Sequence, residues 1–127
     1  MTTSLSIAEA ARQSGLSAHT LRYYEQIGLI GRIERRGGAR RYGADDMRWL
    51  DLLVRLRATG MSVRDMQRYA RLLRQGNAPD NVAERQAILE AHAARLEADM
   101  RLLTETLAYI RGKIRTYTTL AAPKKRA

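Results

Sequence analysis

Residues 5–42 read LSIAEAARQSGLSAHTLRYYEQIGLIGRIERRGGARRY, and this stretch decides the fold of the N-terminal half. Ser6 and Glu9 have the S-x-x-E spacing of a capping box that starts a first helix, and Gly15 supplies its end. Ser17 is positioned to cap a second helix. Two short helices joined by a glycine-containing turn predict a helix-turn-helix, a motif whose second helix enters a major groove of DNA.

The second helix is predicted to divide its side chains between the core and an outer face, and to end at Gly28. Leu21 and Tyr24 can pack against the first helix, because residues three and four apart share one helical face. The side chains predicted to point away from the core are His19, Thr20, Arg22 and Tyr23.

An arginine-rich segment, residues 31–42, follows the second helix, and we call it the wing. Its arginines are Arg32, Arg35, Arg36, Arg40 and Arg41. The Gly37–Gly38 pair between two short polar runs is typical of a β-hairpin. A hairpin of this charge beside a recognition helix is suited to binding phosphates or entering a minor groove. The alternative, a solvated surface loop, does not explain why hairpin, helix and charge coincide.

Composition and charge agree with a polyanionic partner. The 127 residues carry a net charge of +10; residues 1–76 hold 14 basic and 7 acidic side chains, and residues 77–127 hold 9 and 6. The positive field therefore belongs to the N-terminal half, as expected for a nucleic-acid-binding surface. No apolar run approaches the length of a membrane span, and we expect a cytoplasmic protein without a membrane partner.

Several classes of chemistry are excluded or disfavoured by the residue types. The absence of cysteine excludes disulfides, thiolate metal sites and thiol redox sensing. Two histidines, no glycine-rich phosphate loop and no suggestively spaced carboxylates make catalysis improbable. We therefore predict no catalytic residue, no metal site and no cofactor.

A helix pair is predicted after the wing. Asp45 or Asp46 can cap a third helix that runs to about Thr59. Ser62, with Asp65 three residues later, opens a fourth helix that runs to about Gln75. Two questions stay open from sequence. Trp49 either packs in the core, which is the favoured interpretation, or lines a ligand pocket. The outward arginines of the fourth helix either extend the DNA contact or are solvated. Those arginines are Arg64, Arg68, Arg71 and Arg74.

The C-terminal part has the repeat of a coiled coil. From Asp80 to about Thr118 the chain has no proline, and apolar residues recur every seven positions in two rows. Because a single apolar stripe needs a partner, we predict a homodimer, and the dimerisation residues are Leu89, Leu96, Met100, Leu103, Leu107, Ile110 and Ile114. Residues 1–76 are thus a DNA-binding domain, residues 77–118 a dimerisation helix and residues 119–127 a basic flexible tail. The predicted fold is mainly α, with a winged helix-turn-helix, a helix pair and a long C-terminal helix.

Three motifs resemble the MerR family of bacterial transcription regulators: T-L-R-Y-Y-E-x-x-G-L-I at residues 20–30, R-R-Y at 40–42 and L-R-A-T-G-M-S-V at 56–63. The resemblance implies dimers joined by an antiparallel coiled coil, which twist and bend an over-long promoter in response to an effector and act with RNA polymerase. The family's wing commonly reads G-Y-R-x-Y, and Ala39 stands here in place of the first tyrosine. Ala39 cannot donate the hydroxyl hydrogen bond that this tyrosine offers a phosphate.

Motif and face together assign the DNA contacts. Arg22 is the predicted base-reading residue, because a guanidinium can bind guanine O6 and N7 together. The complete predicted set is Ser17, His19, Thr20, Arg22, Tyr23, Tyr24, Arg36, Arg40, Arg41 and Tyr42. Residues 106–114 also look similar to the helix ends of MerR-family regulators tied to aldehyde stress. Those regulators commonly use a cysteine that is missing here. The candidate residues for an organic or uncharged effector are Trp49, Tyr69, His92 and Tyr109.

We expect a sequence-specific DNA-binding regulator that binds a palindromic promoter site as a homodimer. Two alternatives stay open from sequence: a ligand-independent repressor or architectural DNA-bending protein, and a coiled-coil interaction protein whose basic half binds RNA or another acidic partner.

Overall fold

The computed structural model describes residues 4–31 and 33–123, which form five helices and three short strands. In chain order these are β1 (Leu5–Ser6), α1 (Ile7–Ser14), α2 (Ala18–Gln26), β2 (Arg35–Arg36), β3 (Ala39–Tyr42), α3 (Ala44–Ala58), α4 (Val63–Arg74) and α5 (Pro79–Ala121). The predicted mainly α fold, with a helix-turn-helix, a small wing and a long C-terminal helix, is confirmed. The chain divides within α5 into two compact units, one ending at Leu89 and the other beginning at Glu90.

Local capping determines where α1 and α2 begin. The Ser6 hydroxyl accepts a hydrogen bond from the Glu9 backbone N–H at 3.2 Å, and the Glu9 carboxylate accepts one from the Ser6 N–H at 3.0 Å. These bonds with Ser6 hold the pKa of Glu9 below its usual range. The Ser17 hydroxyl accepts from the Thr20 N–H at 3.0 Å and so caps α2. Gly15 ends α1 at a φ of 77°, a left-handed conformation that favours glycine. The caps predicted for both helices are confirmed.

The wing contains the predicted hairpin. β2 and β3 pair antiparallel across Gly37 and Gly38, whose φ values of 57° and 82° are those that a two-residue turn between twisted strands requires. β1 adds a third strand on the other side of β3, with Leu5 opposite Tyr42. We did not predict β1, because two residues carry no alternation pattern and the partner strand lies far along the chain. The wing is thereby tied to the start of α1.

The predicted start of α3 is wrong. Its N-cap is Gly43, and Asp46 is the third helical residue, whose carboxylate accepts a hydrogen bond from the Gly43 N–H at 2.8 Å. An aspartate in the first turn can satisfy a free N–H from inside the helix as well as from the cap position, and the sequence does not separate the two. Ser62 caps α4 as predicted, accepting from the Asp65 N–H at 3.1 Å.

A single apolar core holds α1–α4 together. Its fully buried side chains include Leu21, Leu29, Tyr42, Leu50, Leu53 and Met66, and Ile88 and Leu89 of α5 pack against it.

The turn that follows α2 is held by side chains of α3 and α4. Trp49 Nε1 donates to the Leu29 carbonyl at 2.6 Å, and Gln67 Nε2 donates to the Ile27 carbonyl at 2.7 Å. These bonds fix the end of α2 relative to the helix pair.

The helix α5 begins at Pro79, within the predicted dimerisation segment 77–118 and two residues after its start, as suits a residue without a backbone N–H. It continues to Ala121, through the first residues of the predicted tail. The basic end of that tail, Lys124, Lys125 and Arg126, and Arg32 of the wing lie outside the described residues.

Candidate nucleic-acid interface

The outer face of α2 is formed by polar side chains. His19 and Arg22 are exposed and Tyr23 is half exposed, whereas Leu21 and Tyr24 are buried on the opposite face. Ser17 and Thr20, also predicted as DNA contacts, form the cap, and the Ser17 hydroxyl donates to Thr20 Oγ1 at 2.9 Å. The helix therefore presents His19, Arg22 and Tyr23 to solvent, and its first turn is ordered by its own side chains.

Tyr24 is a core residue in this structure. Its side chain is 4% exposed, and its hydroxyl accepts a hydrogen bond from the Arg57 guanidinium of α3. The guanidinium carbon of Arg57 also lies 5.7 Å from the centre of the Tyr24 ring, within the range of a cation–π contact. Arg57 is thus brought to the edge of α2, where sequence reasoning had not placed it.

The wing arginines have different surroundings. Arg36 is exposed beside Glu34, with Nε 3.5 Å from the carboxylate. Arg40 Nε lies 3.2 Å from the Glu25 carboxylate of α2, in a largely shielded ion pair. Arg41 binds the N-terminal segment, with its Nε 3.1 Å from Ser4 Oγ and its NH2 2.7 Å from the Ser4 carbonyl. In these pairs the exposed Arg36 contacts its neighbour in the wing, whereas Arg40 and Arg41 connect the wing to α2 and to the N-terminal segment.

Tyr42 is fully buried between β3 and the core. Its hydroxyl makes no hydrogen bond within the described part of the chain. Burial raises the pKa of the Tyr42 phenol, and the nearby Glu25 carboxylate raises it further. In this conformation Tyr42 stabilises the wing from inside, and the phosphate contact predicted for its hydroxyl would require it to move outward.

The apolar rows of α5 differ in exposure along the helix. Leu89 packs on the core of the first unit and Leu96 is half buried. The remaining predicted dimerisation residues, which are Met100, Leu103, Leu107, Ile110 and Ile114, are between 48% and 68% exposed in the single chain. A row of large apolar side chains left in water is typical of a surface that associates with another chain.

Two of the four candidate effector residues lie together. Trp49 stacks on Tyr69 with ring centres 5.3 Å apart, and both line a cleft of about 580 Å³ with Gly31 and Arg74. Trp49 is therefore both a half-buried core residue and a cleft residue.

The other two candidates, His92 and Tyr109, belong to the second unit. His92 is buried, with its Nδ1 3.0 Å from Arg95 NH2, and Tyr109 is exposed. At 1.5 Å per residue they are about 25 Å apart along α5 and cannot share one site within a chain.

Neither a metal site nor a membrane span is found in the part of the chain that the structure describes. No three His, Cys, Asp or Glu side chains within residues 4–31 and 33–123 are grouped to hold an ion. None of the helices formed by those residues is long and apolar enough to cross a membrane.

Two family models match the chain. The model described as MerR HTH family regulatory protein matches residues 5–73, and the model described as MerR, DNA binding matches residues 47–118. The chain belongs to the MerR family. The first match covers α1 to α4 with the wing, and the second covers the helix pair and nearly all of α5. Members of this family are DNA-binding transcriptional regulators and not enzymes, as we predicted.

Individual MerR-family proteins are similar over most of their length. An uncharacterized HTH-type transcriptional regulator of Haemophilus influenzae is 34% identical over 87% of this chain and 81% of its own. The regulator AdhR of Bacillus subtilis is 37% identical over 68% of this chain and 66% of its own. The crystal structure of HiNmlR, a MerR family regulator lacking the sensor domain and bound to promoter DNA, superposes with a TM-score of 0.81 at 32% identity, covering 92% of each chain.

Sequence reasoning missed the residues that hold the interface in place. Glu25, Arg57 and Gln67 connect α2 to the wing, to α3 and to α4, through partners 15 to 40 positions away in the chain. The only local indication was the glutamate in the R-Y-Y-E motif, whose role the motif itself does not reveal.

Proposed function

We propose that this MerR-family regulator binds a palindromic promoter site as a homodimer and reads it with α2. The observation that carries the proposal is the outer face of α2, where His19, Arg22 and Tyr23 project from a capped helix beside the arginine-rich wing. Arg22 is the base-reading residue, and the wing arginines bind phosphates and fix the register. The similarity to a regulator bound to promoter DNA supports this orientation of the recognition helix.

The dimer is supported by α5. Its exposed apolar rows are suited to an antiparallel coiled coil, the arrangement that the family resemblance implies. Two-fold symmetry in the protein requires two half-sites related by the same symmetry in the DNA. The resemblance to the MerR family also supports three further properties of the proposed regulator. These are distortion of the promoter, action on RNA polymerase and a cytoplasmic location.

Replacing Arg22 with alanine tests the base-reading role. The R22A variant should lose discrimination between the operator and a half-site-mutated duplex by about 1–3 kcal/mol, because the bidentate contact to guanine is removed. Titration of both duplexes at one salt concentration measures this difference. Arg101→Ala is the matched control, since Arg101 is exposed on α5 and its loss removes the same charge. Weaker binding to both duplexes with unchanged discrimination would contradict the assignment.

An effector that binds without a thiolate is the second part of the proposal. The cleft beside Trp49 and Tyr69 supports an organic ligand, because an aromatic wall with a few polar groups is typical of small-molecule sites. Trp49 is the one tryptophan in the chain, so its fluorescence reports on this cleft. A panel of aldehydes, planar aromatic compounds and metal ions should include a compound that quenches Trp49 and raises the melting temperature. If no compound does both, the cleft is not a site for these classes of effector, and the ligand-independent repressor or DNA-bending protein is the favoured function.

A further inference from the structure

The ion pair between Glu25 and Arg40 joins the recognition helix to the wing. The Arg40 Nε lies 3.2 Å from Glu25 Oε1. The Arg40 side chain is 22% exposed and the Glu25 side chain is 15% exposed. It is more shielded than the pairs made by Arg36, Arg48, Arg55 and Arg68, in which every side chain is at least 44% exposed. Shielded pairs are less screened by salt than exposed ones, so the attraction between Glu25 and Arg40 should persist at physiological ionic strength.

The surroundings of the pair place it where α2 meets β3. Tyr42 follows Arg40 by two residues on β3 and is fully buried. The Glu25 carboxylate is close enough to raise the pKa of Tyr42 in addition to the effect of burial. Glu25 therefore lies at the base of the wing, beside the buried ring that anchors it.

The guanidinium of Arg40 has donors left for a second partner. An arginine side chain offers five N–H groups in a rigid planar fork, and Glu25 binds only the Nε group. The terminal nitrogens of Arg40 make no hydrogen bond to any other described residue. A carboxylate that binds Nε fixes the plane of the fork and leaves the terminal nitrogens to bind a phosphate.

We propose that Glu25 is a positioning residue for DNA binding, which holds the Arg40 guanidinium against α2 so that its terminal nitrogens bind a backbone phosphate. The inference rests on the proposed function, because it requires that the wing contacts DNA. The proposal also predicts that Glu25 strengthens DNA binding, which is the opposite of the effect expected from its charge alone. Glu25 is an anion next to a polyanion, and a carboxylate without a positioning role weakens DNA binding by repulsion.

The Glu25→Gln variant separates the two effects. Removing the negative charge alone would tighten binding, whereas loss of positioning weakens it. We expect E25Q to weaken operator binding by about tenfold for each chain that contacts the DNA, and therefore by about a hundredfold for a homodimer, because each chain loses one charge-assisted hydrogen bond. The plot of log K against log salt has a negative slope, and its magnitude should decrease by about 0.9 for each phosphate that a chain no longer binds. For a homodimer the decrease should be roughly twice as large. The matched control is E34Q, because Glu34 is an exposed wing carboxylate whose ion pair among the described residues is with Arg36. E34Q should bind as tightly as the wild type or somewhat more tightly, because it loses only a repulsive charge, and it should show no reduction in the salt dependence.

Two more variants complete the test. The Arg40→Lys variant keeps the positive charge, but lysine has a single nitrogen in place of the arginine fork. It cannot bind Glu25 through one nitrogen and a phosphate through another, so R40K should weaken DNA binding as E25Q does. Arg40→Ala should reduce the slope, and E25Q combined with R40A should bind no more weakly than R40A alone. Melting temperatures of all variants, measured without DNA, separate these effects from loss of folding.

The behaviour of E25Q decides the positioning role. An E25Q variant that binds as tightly as the wild type or more tightly, with an unchanged slope, overturns that role, while a reduced slope in R40A leaves the proposed function standing. An unchanged slope in R40A overturns the Arg40–phosphate contact and with it the inference. Wild-type protein that shows no preference for the operator overturns both.

Discussion

Tyr42 places a phenol hydroxyl inside the core, where it makes no hydrogen bond to any residue that the structure describes. A buried polar group without a partner costs about 1–3 kcal/mol of stability. The ring itself fills space beneath the wing and is fully buried. The aromatic ring of Tyr42 therefore stabilises the fold, while its hydroxyl destabilises it.

The Tyr42→Phe variant should be as stable as the wild type at pH 7, or more stable by up to about 1 kcal/mol in the free energy of unfolding. The reason is that the substitution keeps the ring and removes the unpaired hydroxyl. The pH dependence gives a second readout. The pKa of Tyr42 is raised in the folded state above its ordinary value of 10.0, so the neutral phenol contributes stability that is fully present below pH 10 and falls as the pH rises through the folded-state pKa. Urea unfolding between about pH 7 and 11 should show a smaller alkaline loss in Y42F. A Y42F variant less stable by more than about 1 kcal/mol would show that the hydroxyl has a partner.

Individual DNA contacts were less predictable than the face that carries them. The exposed positions of His19, Arg22 and Tyr23 follow from helical spacing and were predicted correctly. The partners of Arg40, Arg41 and Tyr24 were not predictable, because each arises from contacts between segments distant in sequence. Arginine and tyrosine serve as structural and as DNA-binding residues alike, so residue type does not separate the two roles.

At the scale of single elements, α2 depends on its N-terminal cap. Ser17 satisfies the Thr20 N–H and also donates to the Thr20 hydroxyl, so one side chain orders the turn that faces the proposed groove.

Replacing Ser17 with alanine should lower the free energy of unfolding by about 1 kcal/mol, as for the removal of other helix caps. Ser17→Asp keeps the cap and should keep the stability, but its carboxylate should weaken DNA binding by repulsion. Chemical denaturation and DNA titration of both variants measure the two quantities. Wild-type stability in S17A would show that the cap contributes nothing to the fold.

Elements were predictable where their ends are encoded locally. Serine caps and glycine stops place α1, α2 and α4 close to their observed bounds, because these residues satisfy the helix ends themselves. β1 is defined only by its pairing with β3, and the α3 cap by a side chain that reaches back from inside the helix. Neither feature has a local pattern that separates it from the alternatives.

At the scale of the whole molecule, α5 carries the proposed dimer. Leu103 lies in the predicted seam and is 68% exposed in the single chain, and Leu102 lies one position outside the seam and is 62% exposed. The two leucines therefore form a matched pair.

Leu103→Glu should dissociate the dimer and abolish operator binding, because a carboxylate in a coiled-coil seam is desolvated without a partner. Leu102→Glu introduces the same change on the water-facing side and should leave both properties intact. Size-exclusion chromatography with light scattering, together with DNA titration, separates the outcomes. Equal effects of the two substitutions would contradict the predicted seam.

The most direct test of the proposed dimer on DNA is the stoichiometry of the complex on a symmetric operator, measured by sedimentation equilibrium with one labelled duplex. We expect two 14.4 kDa chains per duplex on the symmetric site and a large loss of affinity when either half-site is scrambled. One chain per duplex, or equal affinity for the symmetric and scrambled sites, would contradict it.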